Sequence, residues 1–215
     1  MSRWIWIALG ILLVLMGWQS LHSPKAAGFA ANTASGQSLC PLPDKFKRSD
    51  QPLQTDVDNR IHPLHIADAT FIPLAGYSLQ ARVLSRENYY VGNEAEFSPV
   101  DLALGWGSMA ELGMADKLNI SQSGRFYRYS WGNEGPPIPQ NEIISHSANT
   151  HMVPANHSVA NALDAISNED IIELQGWLIR IERNDGWRWQ SSLTRDDTGD
   201  GACELVYVCS VEIKR

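Results

Sequence analysis

Asp170–Arg183 reads DIIELQGWLIRIER, and its apolar residues change phase partway along. Ile172 and Leu174 share one parity, whereas Trp177, Ile179 and Ile181 share the other. Alternation of period two marks a strand with one buried face. A change of face at Gly176 therefore predicts a bulge or a sharp bend there. Asn184-Asp185-Gly186 follows as a turn, and its length sets the register. A two-residue loop would pair Ile181 with Gln190 and mismatch the faces. A three-residue loop pairs Ile181 with Trp189, Ile179 with Ser191 and Trp177 with Leu193, and it puts Gly186 at the left-handed position of a type I turn with a bulge. Trp177, Ile179, Ile181, Trp187, Trp189 and Leu193 are thus expected on one side of a bent ribbon.

Three further segments alternate in the same way. They are Tyr77–Val83, then Gly124–Gly132 with Tyr127, Tyr129 and Trp131 on one face, and a last strand with Cys203, Leu205, Tyr207, Cys209, Val211 and Ile213 inward. Helix is scarce. Ser98–Leu104 is expected to be helical, with Ser98 as cap and Pro99 at the first helical position, until Gly105 and Gly107 break it. Ser158–Ile166 spaces Val159, Ala162, Leu163 and Ile166 for a second helix. A mainly β fold follows: a small, partly closed barrel of the oligonucleotide/oligosaccharide-binding (OB) type, or else a sandwich, with one or two short helices.

The N-terminus supplies an address. Trp4–Trp18 (WIWIALGILLVLMGW) is uncharged and apolar, follows Arg3, and has tryptophan at both ends. As a helix it spans about 22 Å against a hydrocarbon core of about 30 Å, and Leu21 extends it by a turn. No small-residue cleavage site lies close behind it. Residues 1–21 therefore read as an uncleaved signal anchor, a single inner-membrane pass, with Arg3 in the cytoplasm and the rest of the chain outside, which in a bacterium is the periplasm. Residues 22–60, rich in Ala, Gly, Ser and Pro, read as a flexible tether, and residues 61–215 as the β-rich body.

The chain has 17 basic and 24 acidic residues, a net charge of −7. Residues 1–40 hold Arg3, Lys25 and no acid, so the remainder carries −9. Such a body lacks the cationic footprint that neutralises phosphates, which argues against nucleic acid as a partner. Three cysteines are present. Cys203 and Cys209 would lie about 20 Å apart on a regular strand, too far to bridge, so Cys40 is left to pair with either one.

The segments Ser145–Thr150 with His151, and Trp189–Glu204, resemble a group of bacterial envelope proteins for which no activity is established. The similarity runs from about Phe71 to Ile213. It implies the envelope address and carries over no catalytic residue.

Chemistry has three candidate places. His146, His151 and His157 fall in one stretch, but spacings of five and six match no compact metal motif, and hydrogen bonds to loop backbone are the expectation for His146 and His151. The loop Thr194–Ala202 carries Asp196, Asp197 and Asp200 without the alternation or the closing glutamate of a calcium loop, and its Arg195 could grip an anionic group. The aromatic ribbons could be core or a stacking surface. Nucleophile-elbow, phosphate-loop and dinucleotide signatures are missing. Candidate ligand-binding residues are therefore His146, Asn149, His151, Trp189, Arg195, Asp196 and Asp197, with no metal and no cofactor identified. The expected function is a membrane-tethered periplasmic domain that binds an envelope protein or a small ligand without catalysis. The alternative is a metal-dependent hydrolase using His146, His151 and an Asp of the 196–200 loop.

Overall fold

A computed structural model describes residues 40–48, 50–59, 61–194, 199 and 201–214. The anchor expectation falls on residues outside that set. No helix among the described residues is long and apolar enough to cross a membrane.

Among the described residues are ten strands, three short α-helices and two 3-10 helices, Gly107–Ala110 and Ala115–Lys117. The strands are β1 (Leu53–Thr55), β2 (Leu64–Ile66), β3 (Ala69–Asn88), β4 (Val100–Gly105), β5 (Asn119–Ser123), β6 (Phe126–Ser130), β7 (Ser147–Pro154), β8 (Ile171–Arg183), β9 (Arg188–Gln190) and β10 (Glu204–Lys214). The helices are α1 (Asn93–Phe97), α2 (Gln140–Ser145) and α3 (His157–Asp164). Five strands pair in a ring, β3 to β4 to β7 to β10 to β8 and back to β3. The β7–β10 pair is parallel, and the other four are antiparallel. β5 and β6 form a separate two-stranded sheet.

The ring closes because β3 is long enough to serve two neighbours, pairing through Ala69–Arg82 with β8 and through Arg82–Asn88 with β4. Its register slips between Pro73 and Ala75 and again between Val83 and Ser85. Each extra residue flips the side-chain face. Phe71 accordingly packs outside the ring, while Tyr77, Leu79, Ala81 and Val83 point inside it.

β8 keeps its phase, which corrects the change of face and the bulge expected at Gly176. β8 runs without a slip of its own; the slips lie in its partners, at Leu74 of β3 and at Cys209 of β10. Gly176 is needed because a Cβ there would run into the Tyr207 carbonyl oxygen of β10. Ile172, Leu174 and Leu178 face the interior, whereas Trp177, Ile179 and Ile181 face an outer cluster with Phe71, Leu205 and Tyr207. β10 is corrected likewise. Val206 and Val208 point inward and Leu205 and Tyr207 outward, and only beyond Cys209 do Val211 and Ile213 take the inner face.

The three-residue hairpin is present: Ile181 pairs with Trp189, Gly186 has φ +92°, and the Ser191 N–H donates to the Ile179 carbonyl at 3.0 Å. The ribbon ends there. The Ser192 N–H turns to the Cys203 carbonyl, so Trp177 pairs with Gly76 and Tyr207 instead of Leu193, which is exposed.

Of the two expected helices, α3 forms, capped by the Asn156 side chain accepting the Val159 N–H at 3.0 Å, and Val159 and Leu163 close one end of the interior core. The helix expected over Ser98–Leu104 does not form; Val100–Gly105 is the central strand β4, buried throughout and paired on both edges. A six-residue run with two buried faces needs no alternation, and the Ser-Pro start signal is overridden by pairing.

Cys40 to Thr55, which the composition assigns to a tether, docks on the body. β1 pairs with β3, the Trp177 indole donates to the Pro41 carbonyl at 2.8 Å, and the Ser78 hydroxyl donates to the Asp44 carbonyl at 2.8 Å. Cys40 is bridged to Cys209, with Cα atoms 5.3 Å apart.

Candidate functional site

β4 and β7 carry polar residues on their outer face. Asp101 is completely buried, Asn149 and His151 are 4% exposed, and all three lie on paired strands. A carboxylate so placed needs compensation by charge and hydrogen bonds. His151 Nδ1 is 2.9 Å from Asp101 Oδ1, and Arg125 Nη1 reaches the same oxygen at 2.7 Å. The Asn149 amide donates to Asp101 Oδ2 at 3.3 Å, and Gln122 donates to the Asn149 oxygen at 2.7 Å. Trp189 packs on His151 with ring centroids 4.7 Å apart.

Arg125 enters from the β5–β6 turn. Gly124 and Arg125 have φ of +57° and +70°, the pattern of a two-residue type I′ turn. The Arg125 guanidinium also donates to the Ser98 carbonyl at 2.9 Å and lies 3.8 Å from the centre of the Tyr89 ring. The Tyr89 hydroxyl accepts the Arg125 N–H at 3.0 Å. The Arg125 carbonyl accepts from Asn149 at 3.0 Å and from the Cys203 thiol at 3.6 Å.

Beside this network a cleft of about 490 Å³ opens between β6, the start of β7 and the chain entering β10. Tyr127, Tyr129 and Trp131 line it together with Gln140, Asn149 and Glu204. The three rings follow each other along the hairpin, with centroids 5.6 and 6.3 Å apart. Burial pushes the Tyr127 phenol up to about 12.

The structure thus brings Asn149, His151 and Trp189 together and leaves His146 elsewhere. His146 Nδ1 is 2.9 Å from the Glu142 carbonyl within α2, a backbone partner as expected, but a helical one and not a loop. His151 instead faces a carboxylate, which corrects the backbone expectation for that residue. Five residues of extended chain put roughly 16 Å between positions 146 and 151. Among the described residues no group of three His, Cys, Asp or Glu side chains is arranged to hold a metal ion. Arg195, Asp196 and Asp197 lie outside the described residues; Thr194 and Gly199, on either side of them, line the cleft.

Asp101, Arg125, Tyr89 and Gln122 were not singled out by the sequence reading. Asp101 carried one signal, a lone carboxylate within the apolar run VDLALGW, which demands a buried partner. Comparison with protein-family models, curated proteins and solved structures finds no match to this chain.

Proposed function

We propose that this chain is a membrane-tethered, extracytoplasmic binding module whose ring of five strands is an OB-type barrel, and that its aromatic cleft takes sugar rings without chemistry on them. The observation that carries the reading is the tandem of Tyr127, Tyr129 and Trp131 along the cleft, beside the exposed amide of Gln140. Flat apolar faces flanked by polar edges suit a pyranose, which stacks on aromatic rings and offers hydroxyls to amides and carboxylates. OB barrels take oligonucleotides or oligosaccharides. A body carrying −9 repels a phosphate backbone, which favours the saccharide. The tethered, extracytoplasmic part of the proposal is supported by the Trp4–Trp18 run and by the Cys40–Cys209 bridge, since disulfides persist in oxidising compartments.

Titration of the detergent-solubilised full chain with amino-sugar oligosaccharides, followed by tryptophan fluorescence, tests it. Saturable quenching that Trp131→Ala abolishes is the expected result. No saturable change, or one that survives Trp131→Ala and Tyr129→Ala, would overturn the saccharide reading.

A further inference from the structure

Arg125 is held in a way that its own backbone does not favour. A non-glycine residue at φ +70° is strained, yet this one also surrenders most of its solvation, with a side chain only 16% exposed. What it gains is a cage. Asp101 and the Ser98 carbonyl accept from two different guanidinium nitrogens, the Tyr89 ring lies against its face at 3.8 Å, and Trp189 stands at 5.5 Å. His151 braces Asp101 from the other side. Acceptors in the plane with aromatic rings over the face are the requirements of a guanidinium, and a compact ammonium meets them poorly.

The residue that fills this cage belongs to a hairpin attached by side chains and not by sheet pairing: Ile120, Tyr127, Tyr129 and Trp131 pack on a buried cluster, and Gln122 donates to Asn149. β5 and β6 pair only with each other, and a lone two-stranded ribbon is marginal without help from what it packs on. Its tip covers the outer face of β4 and β7, where the Arg125 carbonyl caps Asn149 and the Cys203 thiol.

We propose that Tyr89, Ser98, Asp101 and Trp189 form a guanidinium-binding site, filled here by the chain's own Arg125, and that the β5–β6 hairpin is a lid which opens when that side chain leaves. The site takes a guanidinium from either of two sources, Arg125 in the closed state or an arginine side chain of a peptide partner in the open one. The proposal goes beyond sugar binding in the neighbouring cleft, and a failure of that reading leaves this one intact.

Cys203 reports on the lid, because the other two cysteines are bridged. Alkylation of Cys203 by iodoacetamide is followed in the full chain in detergent, with mass analysis showing the Cys40–Cys209 bridge intact. In Arg125→Ala the rate is expected to rise at least about tenfold over the parent chain, because opening becomes easier. In the parent chain millimolar N-acetylarginine amide is expected to raise the rate by displacing Arg125 from the cage and opening the lid, and N-acetyllysine amide is not. Should Arg125→Ala fail to fold, Arg125→Lys, which keeps the charge and the aliphatic stem, is put through the same test. An unchanged alkylation rate overturns the lid. An equal effect of both amides, or no effect of either, overturns the guanidinium site.

Discussion

Asp101 has no solvent exposure and two cationic or proton-donating neighbours, Arg125 and His151, on one oxygen. Removing the guanidinium leaves a buried carboxylate short of its strongest partner, so Arg125→Ala is expected to cost about 3–5 kcal/mol in denaturant unfolding. The double variant Asp101→Leu with Arg125→Met removes both charges at similar bulk and is expected to recover most of that loss. A double variant no better than the single one would show that the pair matters for something other than charge compensation. Two tyrosines give a pH prediction. Burial raises the Tyr127 and Tyr207 phenols from 10.0 to about 12. Their neutral forms are the ones the fold favours, so their contribution to stability is complete below pH 10 and is lost as pH rises from 10 to 12. Tyrosinate absorbance is expected to show the buried phenols, Tyr127 and Tyr207 among them, ionising together with unfolding, after the exposed ones.

Among the elements, β8 carries the plainest lesson about what can be read in a sequence. The hairpin register was legible because two loop lengths made different pairings and only one matched apolar to apolar. The change of face expected at Gly176 does not occur, since β8 is buried on both faces and so has no alternation to lose, and the extra residues sit in β3 and β10. β4 was misread as helix for a related reason: a central strand buried on both sides reads like any short apolar run. The candidate site was half legible. His151, Asn149 and Trp189 meet, while Arg125 arrives from a turn whose sequence, Gly124-Arg125, says nothing of the side chain's destination. At Gly176 the contact with the Tyr207 carbonyl makes Gly176→Ala an overpacking substitution, expected to lower stability by about 1–3 kcal/mol or more. Gly186→Ala, in open space but at φ +92°, is expected to cost only the backbone strain of about 1 kcal/mol. Thermal unfolding of the pair checks the order.

For the whole molecule, the bridge between Cys40 and Cys209 joins the first described residue to the last strand across 169 positions. Closing so long a loop restricts the unfolded chain, so Cys40→Ser with Cys209→Ser is expected to lose about 2–5 kcal/mol and to free Trp177 from the Pro41 carbonyl. Unfolding under oxidising and reducing conditions measures this, and a difference near zero would leave the bridge without a stabilising role. An alkaline phosphatase fused at the carboxyl end is expected to be active, because the body is proposed to lie outside the cytoplasm. The most direct test of the central proposal, a sugar held in the aromatic cleft in the envelope, is photo-crosslinking in intact cells. A photoreactive phenylalanine analogue replaces Tyr129 in the cleft or, as control, the exposed Leu42 beyond it. A glycosidase-sensitive adduct from position 129 and none from position 42 is the predicted result. No adduct at 129, or the same adduct from both positions, would contradict it.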